Sequence, residues 1–427
     1  MRKKLWMTFG PILVACGVFL FILFGPSAIF GSVSNKSIQN AATSMSENVV
    51  GGEALQRAAM DQNYMPIFGS SELSRIDPFH PSVMANKYAT SYTPFLIGRP
   101  GTQSLYHYLD INMLSDKLKG KKVVFILSPQ WFQPKGVDNA HFGATFSPIQ
   151  AYAFALQEGK DTSARRFAAR RLLSYKVVQN DSTLTKMLEN IATPGPNKPH
   201  DSFLTRTAAE VEYRILVRKD ELESKFVTGS KEHLVKKGVR TLPKNLNFEE
   251  LDKMAASLGE KSTGDNPFHV KQKYFDKKIA PIIDKLQDSR KNLSYANSPE
   301  YDDLQLVMDA FKQAGADVLF VNPPVNGEWL RFIGMSQDGL NDYYKKTEEQ
   351  VKRNGFRYVS LEKYQDSPYY LEDPIHLSWR GWVQIDAAIA DFNKQPIPTS
   401  YPKTPRDFYY HKGQLPKGLK KDLETKN

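Results

Sequence analysis

The chain has 427 residues, 41% of them hydrophobic and 12% aromatic, which suits one large or two ordinary packed domains and excludes wholesale disorder. Its 57 Lys and Arg against 46 Asp and Glu give a formal charge of +11, which points to lipid headgroups, a phosphate-bearing polymer or an acidic protein as partner, with ordinary surface lysine as the plain alternative. The single cysteine, Cys16, excludes an intramolecular disulfide framework and any metal site built on cysteine.

The first segment, "MRKKLWMTFGPILVACGVFLFILFGP", carries an uncharged run from Leu5 to Phe24, about the twenty residues that one bilayer crossing needs. Arg2, Lys3 and Lys4 precede it and no cluster of similar density follows, so the positive-inside rule predicts residues 1–4 in the cytoplasm and everything after residue 25 outside. A cleaved signal peptide would have a shorter apolar core and a small-residue cleavage site, for which "GPSAIFGS" is a poor candidate. A lipoprotein signal ending at "LVAC" conflicts with the apolar residues beyond Cys16. An uncleaved transmembrane helix over 5–24 is therefore expected, bent by Pro11. Residues 25–60 are polar with a weak helical period and read as a stalk.

From residue 61 to about 400, short apolar strands alternate with helical patterns, the βαβ signature of a mainly parallel five-stranded sheet between helices. The strands are expected at Met65–Phe68, Tyr92–Ile97, Lys122–Leu127, Asp317–Asn322 and Phe356–Ser360. The helices between them are expected near Ser104–Lys117, Pro299–Gln313, Asp338–Arg353 and Ser378–Asn393. "VVFILS" and "DVLFVN" are continuous apolar runs, as strands covered on both faces should be. A gap of roughly 190 residues between the third and fourth strands must contain structure of its own. Its composition predicts a helical insertion over about 132–300, forming a cap or subdomain and broken by "TPGPNKPHDS" and "TLPKNLNFEE". The end, 401–427, reads as a basic, poorly ordered tail whose Tyr409–Tyr410 pair is placed to dock on the body.

An open parallel sheet binds ligands at the carboxyl ends of its strands. After the first strand come Gly69, Ser70 and Ser71; a serine here is either a helix N-cap or an exposed nucleophile. After the fifth comes "YYLEDPIHLSWRGW", in which Asp373 and His376 are about one helical turn apart. A nucleophilic serine needs a histidine to take its proton and an acid to orient that histidine, so the two ends of the sequence together supply such a site. The plain alternative is that Asp373 caps a helix starting at Pro374, with Ser378 as a competing cap.

"FGSSEL", "GRPGTQS", "SPQWF" and "EDPIHLSWRGW" resemble the motifs of the DltD family, the D-alanyl-lipoteichoic acid biosynthesis proteins, and the family is similar to the SGNH (GDSL-type) hydrolases. The resemblance runs from the N-terminal anchor to the last helix. It implies an SGNH-like α/β domain on a single membrane anchor, facing the cell wall of Gram-positive bacteria. It puts the nucleophile at Ser71, with Ser70 at the usual aspartate position as a backbone-capping neighbour, and the acid and base at Asp373 and His376. The oxyanion glycine falls on Gly101; the usual asparagine is absent, and Gln130 is the nearest equivalent donor beside the Ser71 N–H.

The activity so implied is transfer of D-alanine onto lipoteichoic acid, an anionic glycerol-phosphate polymer, through a D-alanyl-serine. The implied partners are a membrane-bound O-acyltransferase and other Dlt components; an outward-facing body argues against direct contact with the cytoplasmic carrier protein. No nucleic acid and no cofactor is implied. Three alternatives stand beside this: a thioesterase acting on mischarged D-alanyl carrier, an esterase or acetyltransferase on another wall polymer, and a non-catalytic scaffold. His80, His107, His141, His200, His233, His269 and His411 have no ligand-spaced partners, so no metal is expected. Trp131, Trp329, Trp379 and Trp382 line an acyl pocket or, the better fit, pack in the core, and Arg75 and Arg99 either meet an acceptor phosphate or lie on the surface.

Overall fold

The computed structural model describes residues 2–26, 33–158, 162–193, 202–405 and 407–409. Five strands, β1 (Tyr64–Phe68), β2 (Thr93–Ile97), β3 (Lys122–Ile126), β4 (Asp317–Asn322) and β5 (Arg357–Ser360), form one wholly parallel sheet in the order β2-β1-β3-β4-β5. Each strand falls within a residue or so of its expected position. The chain leaves β1 for one edge and returns to β3 on the other side of it, so the topological switch point lies at the carboxyl ends of β1 and β3.

Alternate residues of the buried strands face opposite cores. Phe68, Phe95, Phe125 and Phe320 belong to one apolar cluster, whereas Ile67, Leu96, Val124 and Leu319 belong to the other. That two-sided burial is why the strands read as unbroken apolar runs. Pro66 sits inside β1, a central strand, although proline cannot donate to a ladder. β1 accommodates it by pairing with β3 only at Ile67 and Phe68, beyond the proline.

The 132–300 region is helical as expected, but it is not a cap standing apart. Leu184, Met187, Leu188 and Ala209 enter the core on one face of the sheet, and Val235, Leu251 and Ala255 enter the core on the other. Of the breaker stretch, residues 194–201 lie outside the described residues.

One expectation near the start of the chain needs correction. Residues 35–61 are not a stalk: the helices Asn35–Ala41, Glu47–Val50 and Ala54–Asp61 bury Ile38, Ala41, Val49, Leu55, Ala59 and Met60 in the main core. Their polar residues misled because they are satisfied inside the fold, Ser44 Oγ donating to the Thr228 carbonyl and Gln56 Nε2 to those of Val49 and Val50. The start of the tail is docked as well. Tyr401 donates to the Ala316 carbonyl, and Tyr409 is buried with its hydroxyl on Asp309. Tyr410 and the rest of the tail lie outside the described residues.

The transmembrane helix expected over 5–24 is not supported by the fold: among the described residues no helix is long and apolar enough to cross a membrane. A helix does form there, Arg2–Phe24, with Pro11 inside it.

Tight backbone contacts fix the carboxyl ends of β1 and β2. Gly69 N–H donates to the Ile97 carbonyl at 3.1 Å, and a Cβ on Gly98, at φ +155°, would stand 2.0 Å from the Gly69 oxygen. A backbone oxygen cannot yield as a side chain would. Gly98→Ala is expected to destabilise the fold by about 2 kcal/mol or more, read as a lowered thermal midpoint of the purified chain.

Candidate active site

Ser71 is the first residue of a short 3-10 helix, Ser71–Ser74, that begins three residues after β1 ends. The turn is held from several sides. The Gly69 carbonyl accepts from Thr102 Oγ1 and from His107 Nε2, both at 2.9 Å, and Ser70 N–H donates to Glu72 Oε1 at 2.5 Å. Burial lowers the His107 pKa to about 3, so the ring is neutral and Nε2 carries the proton that Gly69 accepts. Ser70 does not cap the helix with its side chain; its Oγ donates to the Arg99 carbonyl at 3.3 Å.

His376 reaches the same place from the other end of the chain. Asp373 and His376 are not on a helix, and Asp373 caps none. They sit in a loop closed by a bridge between Leu371 and Leu377, with Glu372 N–H donating to the His376 carbonyl. Asp373 Oδ1 accepts the N–H groups of Ile375 and His376, and its Oδ2 lies 2.6 Å from His376 Nδ1. His376 Nε2 is 2.7 Å from Ser71 Oγ.

Burial works against the Asp373 charge, but the His376 ring and the two N–H donors outweigh it and hold the carboxyl below its ordinary range. An ionised Asp373 fixes the proton on Nδ1 and leaves the Nε2 lone pair to accept from Ser71 Oγ–H. Arg75 Nη2 lies 3.5 Å from Nδ1 and 3.8 Å from Asp373 Oδ2. Since Nδ1 is already a donor, Arg75 acts as a cation beside the carboxylate. It also pairs with Glu372 at 3.3 Å, and Glu372 is bridged on its other side by Lys271. Arg75 is thus engaged within the protein, and Arg99 likewise donates to the Ala144 carbonyl at 2.9 Å.

Sequence reasoning missed the group that ties the two ends together. Asp77 is partly exposed as a residue, but its carboxyl turns inward: Oδ1 accepts Phe79 N–H at 2.7 Å, and Oδ2 accepts Ser378 Oγ–H at 2.9 Å and Trp379 N–H at 2.5 Å. Trp379 has φ +40°, unusual for a bulky residue, and the final helix starts one residue later, at Arg380. Ser378 is therefore spent on Asp77 and caps nothing. Trp382 Nε1 donates to the Arg75 carbonyl at 3.2 Å, which adds a second tie between the same segments. The only local hint was an Asp before Pro78; nothing nearby in sequence announced a partner so far along the chain.

Gly101 follows β2 with φ +93°, and Gln130 follows β3 in the 3-10 helix Pro129–Trp131. Neither the Gly101 N–H nor the Gln130 side chain has a hydrogen-bond partner among the described residues, and Ser71 N–H, first in its helix, has no intrahelical acceptor. Trp131, Trp379 and Trp382 are buried, as packing requires. Among the described residues no group of three or more His, Cys, Asp or Glu gathers where it would hold a metal; His200 and His411 lie outside them.

A cleft of about 520 Å³, lined by Arg99, Gly51, Phe146, Ser147 and Lys219, opens beside the Ser70–Arg99 contact. A larger one of about 1160 Å³ lies at Lys119, Gly120 and Gly315, the amino ends of β3 and β4, and touches none of these residues. Size alone does not mark the chemistry here.

A family profile described as "DltD protein" matches residues 42–394. The chain is similar to proteins named "Protein DltD" from Lacticaseibacillus rhamnosus, at 40% identity over 92% of this chain and 92% of that one, and from Bacillus subtilis (strain 168), at 36% over 92% and 98%. A third, from Staphylococcus aureus (strain NCTC 8325 / PS 47), is 32% identical over 90% of this chain and 96% of its own.

Burial raises the Glu72 carboxyl from 4.5 to about 7, against the Ser70 N–H and the nearby His376, which lower it. Between those values the folded chain holds a proton that the unfolded chain has released, so stability falls as pH rises through that window. Relative to Glu72→Gln, the native chain is expected to lose roughly 3 kcal/mol between pH 4.5 and 7, measured as urea midpoints across a pH series. Asp77→Asn removes the acceptor shared by Ser378 and Trp379 and is expected to cost about 1–3 kcal/mol in the same assay at neutral pH.

Proposed function

The chain belongs to the DltD family, and on that footing we propose that it is a serine acyltransferase that moves D-alanyl groups onto lipoteichoic acid. One observation carries the reading: Ser71 Oγ, His376 Nε2 and Nδ1, and Asp373 Oδ2 form a continuous line of contacts at 2.7 Å and 2.6 Å on the carboxyl rim of the sheet. His376 takes the Ser71 proton as Oγ attacks the carbonyl carbon of a D-alanyl ester or thioester. The new Oγ–C bond gives a tetrahedral intermediate whose oxyanion is held by N–H of Ser71 and Gly101 and by the Gln130 amide. Its collapse breaks the bond to the leaving oxygen or sulfur, which receives the proton from His376. A hydroxyl of the glycerol-phosphate polymer then repeats the sequence on the D-alanyl-serine, His376 accepting its proton and returning it to Ser71.

The ionised Asp373 supports this role, since it stabilises the imidazolium formed twice per cycle. Transfer in place of hydrolysis requires that water be kept from the acyl-serine.

The proposal includes anchoring of the outward-facing body by residues 5–24, with residues 1–4 in the cytoplasm. It is supported by the absence of charge from Leu5 to Phe24 and by Arg2, Lys3 and Lys4 before that run. Phe9, Ile12, Leu13, Val14 and Phe19 are each more than half exposed, as a lipid-facing surface requires. The membrane-bound O-acyltransferase and the other Dlt components are the proposed partners.

Ser71→Ala is expected to lower the rate of D-alanyl transfer by about 10⁴-fold or more, and an acyl adduct on Ser71 is expected by mass spectrometry when the full chain meets a D-alanyl thioester. Cells carrying Ser71→Ala that keep normal D-alanyl ester on lipoteichoic acid would favour a scaffold and sink the enzymatic reading.

A further inference from the structure

The helix Phe203–Glu223 carries apolar side chains that the fold leaves uncovered. Leu204 is 77% exposed and Phe203, beside it, 82%; Val211 and Leu222 are exposed further along, and Phe226, just past the end, is 76% exposed. Single exposed apolar residues are ordinary, but these are not scattered. Leu204, Val211, Arg218 and Leu222 are spaced by seven, seven and four residues, which puts them on one face of a helix. The opposite side is accounted for, with Ala209 buried in the core.

Arg218, in the middle of that apolar face, meets the end of the N-terminal helix. Its Nη2 donates to the Gly25 carbonyl at 2.7 Å, and Arg214 stacks its guanidinium over the Phe24 ring at 5.3 Å. A cleft of about 490 Å³ lies at this junction, between Phe24–Pro26 and Tyr213, Arg214 and Arg218. The last turn of the N-terminal helix thus touches the middle of the second helix, while Leu204 and Leu222 stand about 27 Å apart along it. If residues 5–24 cross the bilayer, Phe24 and Gly25 mark the outer headgroup level, the helix that Arg214 and Arg218 join to them meets that level at the contact, and the exposed Leu204 and Phe226 lie toward its two ends.

We infer that the Phe203–Glu223 helix lies along the outer face of the bilayer, seating Leu204, Val211, Leu222 and Phe226 at the boundary between headgroups and acyl chains. The inference rests on the anchored reading above. The body is then docked on lipid as well as tethered to it, which sets the height of the Ser71 rim above the membrane. Arg214 and Arg218 are spent on Phe24 and Gly25, so they hold this helix to the end of the N-terminal one and leave its apolar side chains to meet the lipid.

The test uses the full chain in phosphatidylglycerol vesicles whose acyl chains carry nitroxide quenchers. With Cys16 replaced by serine, single cysteines at Leu204, Leu222 and Phe226 take an environment-sensitive fluorophore. Lys253, exposed on a helix packed against the opposite face of the sheet, serves as the water control, and native Cys16 itself reports on the anchor. The expected result is blue-shifted, lipid-quenched emission at Leu204, Leu222 and Phe226, with none at Lys253. Quenching at Cys16 with all three helix positions left in water would overturn the inference and leave the anchor standing. An unquenched Cys16 would remove the anchor and the inference together. Helix positions that leave water only when the O-acyltransferase is reconstituted alongside would give this face to a protein, and overturn lipid docking.

Discussion

The Ser71–His376 contact depends on the inward-turned carboxylate of Asp77, which joins two stretches of chain 301 residues apart in sequence. Ser71 lies six residues before Asp77, and His376 lies two before Ser378. With Oδ2 shared between Ser378 Oγ–H and Trp379 N–H, the loop bearing His376 cannot slide relative to the segment bearing Ser71. A 2.7 Å contact between side chains from opposite ends of a polypeptide needs such a tie, because the loop after β5 is otherwise free to settle elsewhere on the rim. Trp379, held at φ +40° by that bond, shows that the fold tolerates local strain here to keep the register.

Beneath the serine, the polar groups of the turn are satisfied one by one. The Gly69 carbonyl has two donors, and the Ser70 N–H has Glu72. Ser104 N–H, opening the helix after β2, donates to Glu300, whose carboxyl burial raises to about 8. Such a network stabilises modestly in net terms, yet leaving one member unpaired would cost more than the bond itself contributes. Among the described residues the Gly101 N–H at the mouth has no partner, and a developing oxyanion is the acceptor that the proposed chemistry supplies.

The helical insertion ties this rim to the rest of the body. Thr228 accepts from Ser44, and Lys231 donates to the Ser74 carbonyl, so the segment after the Phe203–Glu223 helix reaches the Ser71–Ser74 turn directly. Asp220 of the same helix receives the N–H groups of Glu53 and Ala54. The helix that meets the end of the N-terminal segment is therefore coupled through short contacts to the residues around Ser71.

By itself the sequence determined the local features. Continuous apolar runs specified the buried strands, the Gly-Ser-Ser after β1 specified a sharp turn carrying two hydroxyls, and Asp373 with His376 specified a paired acid and base. These are properties of a few neighbouring residues, and side-chain polarity and backbone freedom decide them. What tertiary structure decided is every pairing across distance: the strand order, the loop geometry that replaced an expected helical turn at Asp373, Ser70 turned to Arg99, and Asp77 as the tie. It also decided that residues 35–61 are core. A polar residue reads the same in water as against a distant carbonyl, so the sequence gives no sign of which of the two it will meet; only the folded chain brings the partner.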